Sequence, residues 1–338
     1  MSSIRILSAK DINALFTIDM ALAAVEGAYR QKNAGTGSVW PMVFHEFQHG
    51  VADLDIKSGD LQDEEIFGLK LVSWFGPNAA KGLPDLFGTS MIFDLRTGEP
   101  KALLNAWPVT GYRTGAAAAV GARTLARPES ASLLMVGSGA QSPYLVAATL
   151  RALPGICRVQ IANPRDPAKA AARLPGFSEK VTALLAACGA ALPCPIEAAA
   201  DLERAVRESD VILTATPSYA PLIRADWVRP GTHLSCIGAD MSGKEELDPA
   251  LFPKACVFGD DTAQCFSVGE CEIPHRDGLL DALDAEIGEV LLGTKPGRRS
   301  SEEITIFDST GIALQDLASA AVIVKRAEER GLGLLAEL

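Results

Sequence analysis

The sequence contains no Cys-x-x-Cys pair. Its seven cysteines (157, 188, 194, 236, 256, 265 and 271) are scattered and odd in number. Neither a zinc knuckle nor a redox dithiol is indicated, and a reducing cytoplasm is the expected home. No apolar run reaches the roughly 18 residues that a membrane helix needs. The N-terminal stretch MSSIRILSAKDINALF has no basic region followed by an apolar one, so no signal peptide is expected. Positive charge is in deficit: 31 Lys+Arg against 42 Asp+Glu leave a net charge of −11. That balance argues against nucleic acid or an anionic membrane as partner, because a phosphate backbone attracts a basic face. Internal repeats and low-complexity linkers are also missing. What remains is 338 residues, 48% hydrophobic and 22% charged. Such a chain is globular, long enough for a large core without disulfides or metals, and suggests about two domains.

Residues 11–32 carry apolar positions at helical spacing, with Asp11 and Asp19 as candidate N-caps of two short helices. From Val39 to Leu104 short apolar runs broken by Gly, Pro and Asn predict antiparallel strands, with a hairpin turn at 97–100. From Thr110 onward the pattern alternates. An Ala-rich helix (111–126) precedes the strand SLLMV, a Gly turn and the helix QSPYLVAATLRAL. Further strands are expected in RVQIAN, 209–216, 232–240, 255–261 and from 304, with a final helix over 317–330 closing the chain. The stretch 296–303 reads as a loop. This alternation predicts an α/β protein with a Rossmann-type doubly wound parallel sheet.

Gly137-Ser138-Gly139 lies directly between a strand and a helix. Backbone N–H groups at such a turn can cradle a pyrophosphate, and Gly lets the backbone come close. The third glycine of the dinucleotide fingerprint is replaced by Ser142. The second strand of this unit ends in Ile161-Ala162-Asn163-Pro164-Arg165. A carboxylate there would accept from a ribose 2′-OH; Asn163 is neutral, and Arg165 suits a 2′-phosphate. NADP(H) is therefore favoured over NAD(H), with Asp166 as the competing ribose ligand. His45-Glu46-Phe47-Gln48-His49 matches H-E-x-x-H, but its apolar alternation and the flanking Pro41 and Gly50 predict a strand. The zinc-protease motif requires a helix, so no metal site is expected.

Six stretches resemble the ornithine cyclodeaminase/μ-crystallin family over nearly the whole chain: 68–84, 110–119, 133–142, 209–218, 237–247 and 306–316. The resemblance implies a discontinuous α+β substrate and dimerisation domain (1–112 with 314–338), a Rossmann domain (113–313) and a homodimer. It implies a nicotinamide cofactor and hydride exchange at the α-carbon of a small amino or imino acid. By motif position, Lys70 matches a lysine at the substrate carboxylate and Arg113 an arginine between carboxylate and cofactor. Asp240 matches the acid that moves protons at the substrate nitrogen, and Lys244 a cofactor contact. Ala140, Gln141, Thr216, Ile237 and Ser309 fall on cofactor-lining positions, and Thr310 beside the substrate. The residues themselves agree with these roles. A lysine inside an apolar strand is costly without a partner, and an Arg fork suits a carboxylate.

The sequence departs from the cyclodeaminase pattern in two places. No arginine lies between Arg30 and Lys70, where the family has a second carboxylate contact. The nearest match by position is around Trp40, and Lys57, sharing one strand face with Asp53 and Asp55, is the cation available to replace it. Asn163 also replaces the ribose acid. These departures favour an NAD(P)H-dependent imino-acid reductase or amino-acid dehydrogenase. The alternatives are an ornithine cyclodeaminase with catalytic NAD, and a non-catalytic NADP-dependent binding protein, against which the retained Asp240 argues.

Overall fold

The computed structural model describes residues 3–338. The chain divides into two compact units, Met1–Arg113 with Ile312–Leu338, and Thr114–Gly311. These boundaries fall one and two residues from those expected, and Arg113 belongs to the first unit.

The first unit is built on an eight-stranded sheet. Its order is Leu334–Glu337, Ser3–Leu7, Pro100–Asn105, Leu86–Asp94, Ile66–Phe75, Ala52–Leu61 and Gly37–Val39, with Val43–Gln48 also on Ala52–Leu61. Neighbours run antiparallel except Ser3–Leu7 with Pro100–Asn105. The expected hairpin turn follows Asp94, whose Oδ1 accepts from the N–H groups of Arg96 and Thr97. The helix Ala313–Arg330 lies on one face of this sheet, and the glycine pair Gly59 and Gly68, register partners on adjacent strands, makes room for it. A Cβ at Gly68 would sit 2.4 Å from the Met91 carbonyl and 3.0 Å from Leu317, and one at Gly59 2.9 Å from Leu314.

Three sequence expectations for this unit change. The helices Ala9–Leu15 and Ile18–Ala34 are capped by Ser8 and Thr17, not by Asp11 and Asp19. Asp11 stands three residues into its helix, where its carboxylate reaches back to the Ser8 N–H while Ser8 Oγ accepts from Asp11 N. A hydroxyl just before a helix fits that box, and an acid inside the first turn answers the helix dipole instead. The Ala-rich helix begins earlier, at Ala106. The last helix does not close the chain: after Gly331 the strand Leu334–Glu337 pairs with Ser3–Leu7. H-E-x-x-H does lie on a strand, as its alternation predicts, and His49 follows in the turn with Nδ1 3.0 Å from Glu46.

The second unit contains an eight-stranded, wholly parallel sheet. Its order is Ile196–Ala198, Arg158–Ala162, Ser132–Val136, Val211–Thr214, His233–Cys236, Ile304–Asp308, Ala255–Gly259 and Ala285–Glu286. The chain winds outward in one direction from Ser132–Val136, then returns to start the other half at Val211–Thr214. Ligands of such sheets bind outside the strands' carboxyl ends at this reversal. Leu134, Val136, Ile212, Leu234, Val257 and Ile306 are fully buried in its core. The sequence reading did not assign a two-stranded parallel ribbon, Tyr219–Ile223 with Glu245–Leu247, or a 20-residue helix, Pro167–Ala186, with Pro175 inside it. Among the described residues no single helix is long and apolar enough to cross a membrane.

Candidate active site

The carboxyl ends of the central strands in the second unit open into a cavity of about 310 Å³. Gly137, Gly139, Asn163, Arg165 and Thr216 all line it. Gly137 has φ +118°, and a Cβ there would meet the Ala215 carbonyl at 2.5 Å, so only glycine fits this turn. A Cβ at Gly139 would meet nothing within 4 Å, so the backbone is open to a ligand. No side chain caps the helix Ser142–Ala152, which starts here. An uncapped helix start beside a glycine turn is an anion site. Gln141 Oε1, Ser142 Oγ and Thr216 Oγ1 are buried without hydrogen-bond partners. These features fit a dinucleotide.

One end of the crevice is basic. Lys169 and Arg173, from the unassigned helix, line the cavity with Arg165. Arg173 Nη1 donates to the Ser138 carbonyl at 2.7 Å. Asn163 Nδ2 donates to Ser138 Oγ at 3.1 Å, and its Oδ1 accepts from Arg165 N and Asp166 N. Asp166 caps the helix Pro167–Ala186 through Lys169 N. The local carboxylate is thus occupied with a backbone donor.

Below the crevice lies a group of buried acids. Glu246 Oε2 accepts from Thr214 Oγ1 at 2.6 Å and Gly238 N at 3.0 Å, and Oε1 from Thr216 N at 2.7 Å. It ties the loops that follow two strands, and burial pushes its carboxyl up to about 7. Glu270 Oε1 accepts from Glu246 N and Leu247 N, and burial with the Glu246 charge raises its pKa well above the usual value. Asp260 accepts from Ser309 Oγ, Thr310 Oγ1 and Gly311 N. The hydroxyls of Ser309 and Thr310 therefore first hold their own loop. Asp308 accepts from Cys271 N, and burial, then Asp260, pushes it up to about 7. Ile237 and Asp240 follow the strand His233–Cys236, where Ile237 N donates to the Thr214 carbonyl. Asp240 is exposed and paired with Lys244. Ala140 is exposed in the glycine turn.

The first unit holds the cations. Lys70, inside the strand Ile66–Phe75, is 3% exposed. Its Nζ donates to Thr110 Oγ1 at 2.8 Å and to Asp316 Oδ1 at 3.1 Å. Burial holds the Lys70 ammonium down to about 8 against the pull of Asp316, and Arg113 and Lys57 lower it further. Burial works against the Asp316 carboxylate, but Arg113, Lys70 and Lys57 more than offset it and keep its pKa below the usual value. Arg113 Nε lies 3.3 Å from Asp316 Oδ1, and Nη1 donates to Gln315 Oε1 at 3.1 Å. Gln315 Nε2 donates to Tyr29 Oη at 2.7 Å. Asp316 Oδ2 and Arg113 Nε are buried without hydrogen-bond partners. The structure thus brings Lys70 and Arg113 onto one carboxylate and sets Lys57 opposite Lys70 on the next strand. Trp40 instead stacks on Phe67 and donates to Asp60.

Asp316, Gln315, Lys169, Arg173, Glu246 and Glu270 carry no role in the sequence reading. Asp316 and Gln315 close the motif at 306–316, and Glu246 lies in that at 237–247, so a signal existed for these three.

A doubly wound unit with a glycine-turn crevice, together with a unit that buries a lysine and an arginine on one carboxylate, defines a dinucleotide-type α/β protein with a second unit built on a buried charged cluster. The profile of the ornithine cyclodeaminase/mu-crystallin family matches residues 3–331, and the chain belongs to that family. The iminosuccinate reductase of Paracoccus denitrificans is 33% identical over 335 residues, 98% of this chain and 99% of that one. An archaeal alanine dehydrogenase, solved as a dimer with bound NAD, has a TM-score of 0.87 at 35% identity over 99% of both chains. The Δ1-pyrroline-2-carboxylate reductase of Thermococcus litoralis, solved with NADH and L-proline, has a TM-score of 0.88 at 27% identity, covering 98% of this chain and 99% of that one.

Proposed function

We propose that the chain is a nicotinamide-dependent oxidoreductase that interconverts a 2-imino acid and its 2-amino acid. The observation that carries this reading is the buried cluster of Lys70 and Arg113 around Asp316, a paired cation site that suits a substrate carboxylate. Relatives named as reductases and a dehydrogenase of such acids support it. The nicotinamide, when bound, supplies or accepts a hydride. The glycine turn at 137–139 and the start of the helix Ser142–Ala152 hold the pyrophosphate, with Gln141 and Thr216 offering buried polar atoms. Lys70 and Arg113 orient the carboxylate. Asp240 holds or takes the proton at the substrate nitrogen, and Lys244 keeps its carboxylate oriented.

For the cofactor we favour NADP(H). Arg165, Lys169 and Arg173 line the ribose end, where Asp166 is engaged as a helix cap. Binding of both reduced cofactors, followed by fluorescence, should show a preference for NADPH that Arg165→Gln narrows; equal affinity in the unmodified protein would remove it. A homodimer is the expected assembly, as in the alanine dehydrogenase structure, and light scattering checks it.

The central test supplies NADPH or NADH, ammonium and a series of 2-oxo acids and follows loss of reduced-nicotinamide absorbance. Turnover with at least one acid is expected, and Asp240→Asn should lower it by roughly 10²–10⁴-fold, the usual worth of a positioned acid or base, while sparing cofactor affinity. Ornithine yielding proline and ammonia without net cofactor use would replace this reading with the cyclodeaminase one.

A further inference from the structure

The segment that carries Asp240 is tied down from outside itself. It leaves the strand His233–Cys236 at Ile237 and runs to the ribbon strand Glu245–Leu247. Its ends are fixed: Gly238 N donates to Glu246 Oε2, and Glu245 N to the Ser218 carbonyl. Between them the chain turns, with Lys244 N donating to the Met241 carbonyl and Gly243 at φ +81°. A turn made of an exposed serine and a glycine has many other shapes open to it. Both oxygens of one carboxylate, that of Glu272, meet the turn at this point. Oε1 accepts from Ser242 Oγ at 2.6 Å and Oε2 from Gly243 N at 2.8 Å. Asp240 is exposed, and its ion pair runs to Lys244 at the other end of the same turn. The members of that pair therefore straddle the two residues that Glu272 holds.

Glu272 is itself held in place. Its neighbour Cys271 is fully buried, and the Cys271 N–H donates to Asp308 Oδ2 at 3.0 Å, at the end of a core strand. Glu270, 2% exposed, accepts from Glu246 N and Leu247 N at 2.8 and 2.6 Å. The first acid thus anchors the ribbon, and the second, two residues on, reaches the turn from an anchored backbone. We infer that Glu272 is a positioning residue for proton transfer at Asp240: its carboxylate holds residues 242–243, and with them the Asp240–Lys244 pair, in one orientation. It acts through Asp240 and not on the reacting atoms. The inference rests on the role given to Asp240 in the reading above and adds what fixes that acid in place. Substitutions at an exposed turn change the stability of a fold little, whereas a misplacement of about 1 Å can cost roughly 10²-fold in rate. The two consequences of losing this clamp are therefore separable.

The experiment uses the full-length protein with Glu272→Ala, Glu272→Gln, Asp240→Asn and the double variant Glu272→Ala with Asp240→Asn. Hydrogen exchange in the peptide spanning residues 240–244, read by mass spectrometry, reports on the turn without turnover. Glu272→Ala should speed that exchange by about tenfold, the scale of one hydrogen bond to a charged group. It should lower kcat by about tenfold or more, with the denaturant midpoint, the cofactor stoichiometry and the substrate KM nearly unchanged. Glu272→Gln should keep most of the activity, because its carbonyl can accept from Gly243 N while its amide donates to Ser242 Oγ. In the Asp240→Asn background, Glu272→Ala should lower kcat no further, whereas a loss of folded enzyme would lower it again by the same factor. Exchange that Glu272→Ala leaves unchanged, or a fall in kcat that repeats in full in the Asp240→Asn background, overturns the inference. Turnover that survives Asp240→Asn, or none with any 2-oxo acid, would instead overturn the reading on which the inference rests, and the exchange rate alone would then decide whether Glu272 holds the turn.

Discussion

The two units bury charge in opposite ways. In the first, Lys70 and Arg113 are buried against the carboxylate of Asp316. In the second, the buried carboxylates of Glu246, Glu270, Asp260 and Asp308 accept from hydroxyls and backbone N–H groups. A buried ion stays ionised only where opposite charge compensates the lost hydration; otherwise it takes up a proton. The contrast therefore separates two tasks. In the first unit a buried carboxylate compensates the lysine and the arginine that meet it. The acids of the second tie strand ends together, and Glu246 in particular fixes the loops after Thr214 and Cys236 on which a crevice depends.

The largest break in this comparison comes from Asp316→Asn. Lys70 and Arg113 would then share their buried site without a counter-ion, and removing one partner of a buried pair costs about 3–5 kcal/mol. Denaturant unfolding should show that loss, and kcat/KM should fall with it. The double variant Lys70→Met with Asp316→Asn should recover part of the stability, because no lysine ammonium is then stranded, but none of the activity. If the double variant is as unstable as the sum of the singles, the pair is not coupled.

Glu246→Gln should cost less. The carboxylate accepts three hydrogen bonds, whereas an amide must turn its NH₂ towards one of those donors. Leaving one buried donor unpaired costs about 1–3 kcal/mol. Because the donors sit on Thr214, Thr216 and Gly238, cofactor affinity should weaken while the substrate KM at saturating cofactor moves little. An unchanged cofactor affinity would reduce Glu246 to a core residue with no bearing on the crevice.

Much of this was legible before any coordinates. The parallel sheet announced itself as short apolar runs alternating with helices, and Lys70 as a charge inside an apolar strand. Its partner could not be read in the same way. Asp316 sits in the first turn of a helix, where an acid is ordinary, and it meets Lys70 across 246 residues of chain. Glu246, in KEEL, has the look of a solvated face and is 0% exposed, because the ribbon Tyr219–Ile223 with Glu245–Leu247 folds it beneath the crevice. Arg173 lay in a helix whose Pro175 and Gly176 obscure its period. The misassigned N-caps failed for a local reason: acid and hydroxyl compete for one role, and at Ser8 the box uses both. Lone side chains in an unexpected context could be singled out, whereas pairings made by topology could not.

The finest test of the contrast is its pH dependence, read group by group. Glu246 titrates near 7 in the folded chain against an ordinary glutamate value of 4.5. The folded state therefore holds more protons than the unfolded one between those values, and the stability this group contributes is lost as pH rises through about 7. Lys70 is displaced the other way, from 10.5 down to about 8. Between those values the unfolded chain holds more protons, so stability rises with pH across that window. His233, buried and held down to about 3 by burial and then Arg298, adds a rising contribution at acid pH that partly masks the acids in the whole protein. Differences between unmodified protein and variant remove that masking. The stability difference caused by Glu246→Gln should shrink from pH 5 to 8, and the difference between Lys70→Met and the unmodified protein should shift in favour of the unmodified protein from pH 8 to 10. Each slope is limited to about 1.4 kcal/mol per pH unit for one proton. Parallel rather than opposite trends in the two variants would mean that the two units do not bury charge by different means.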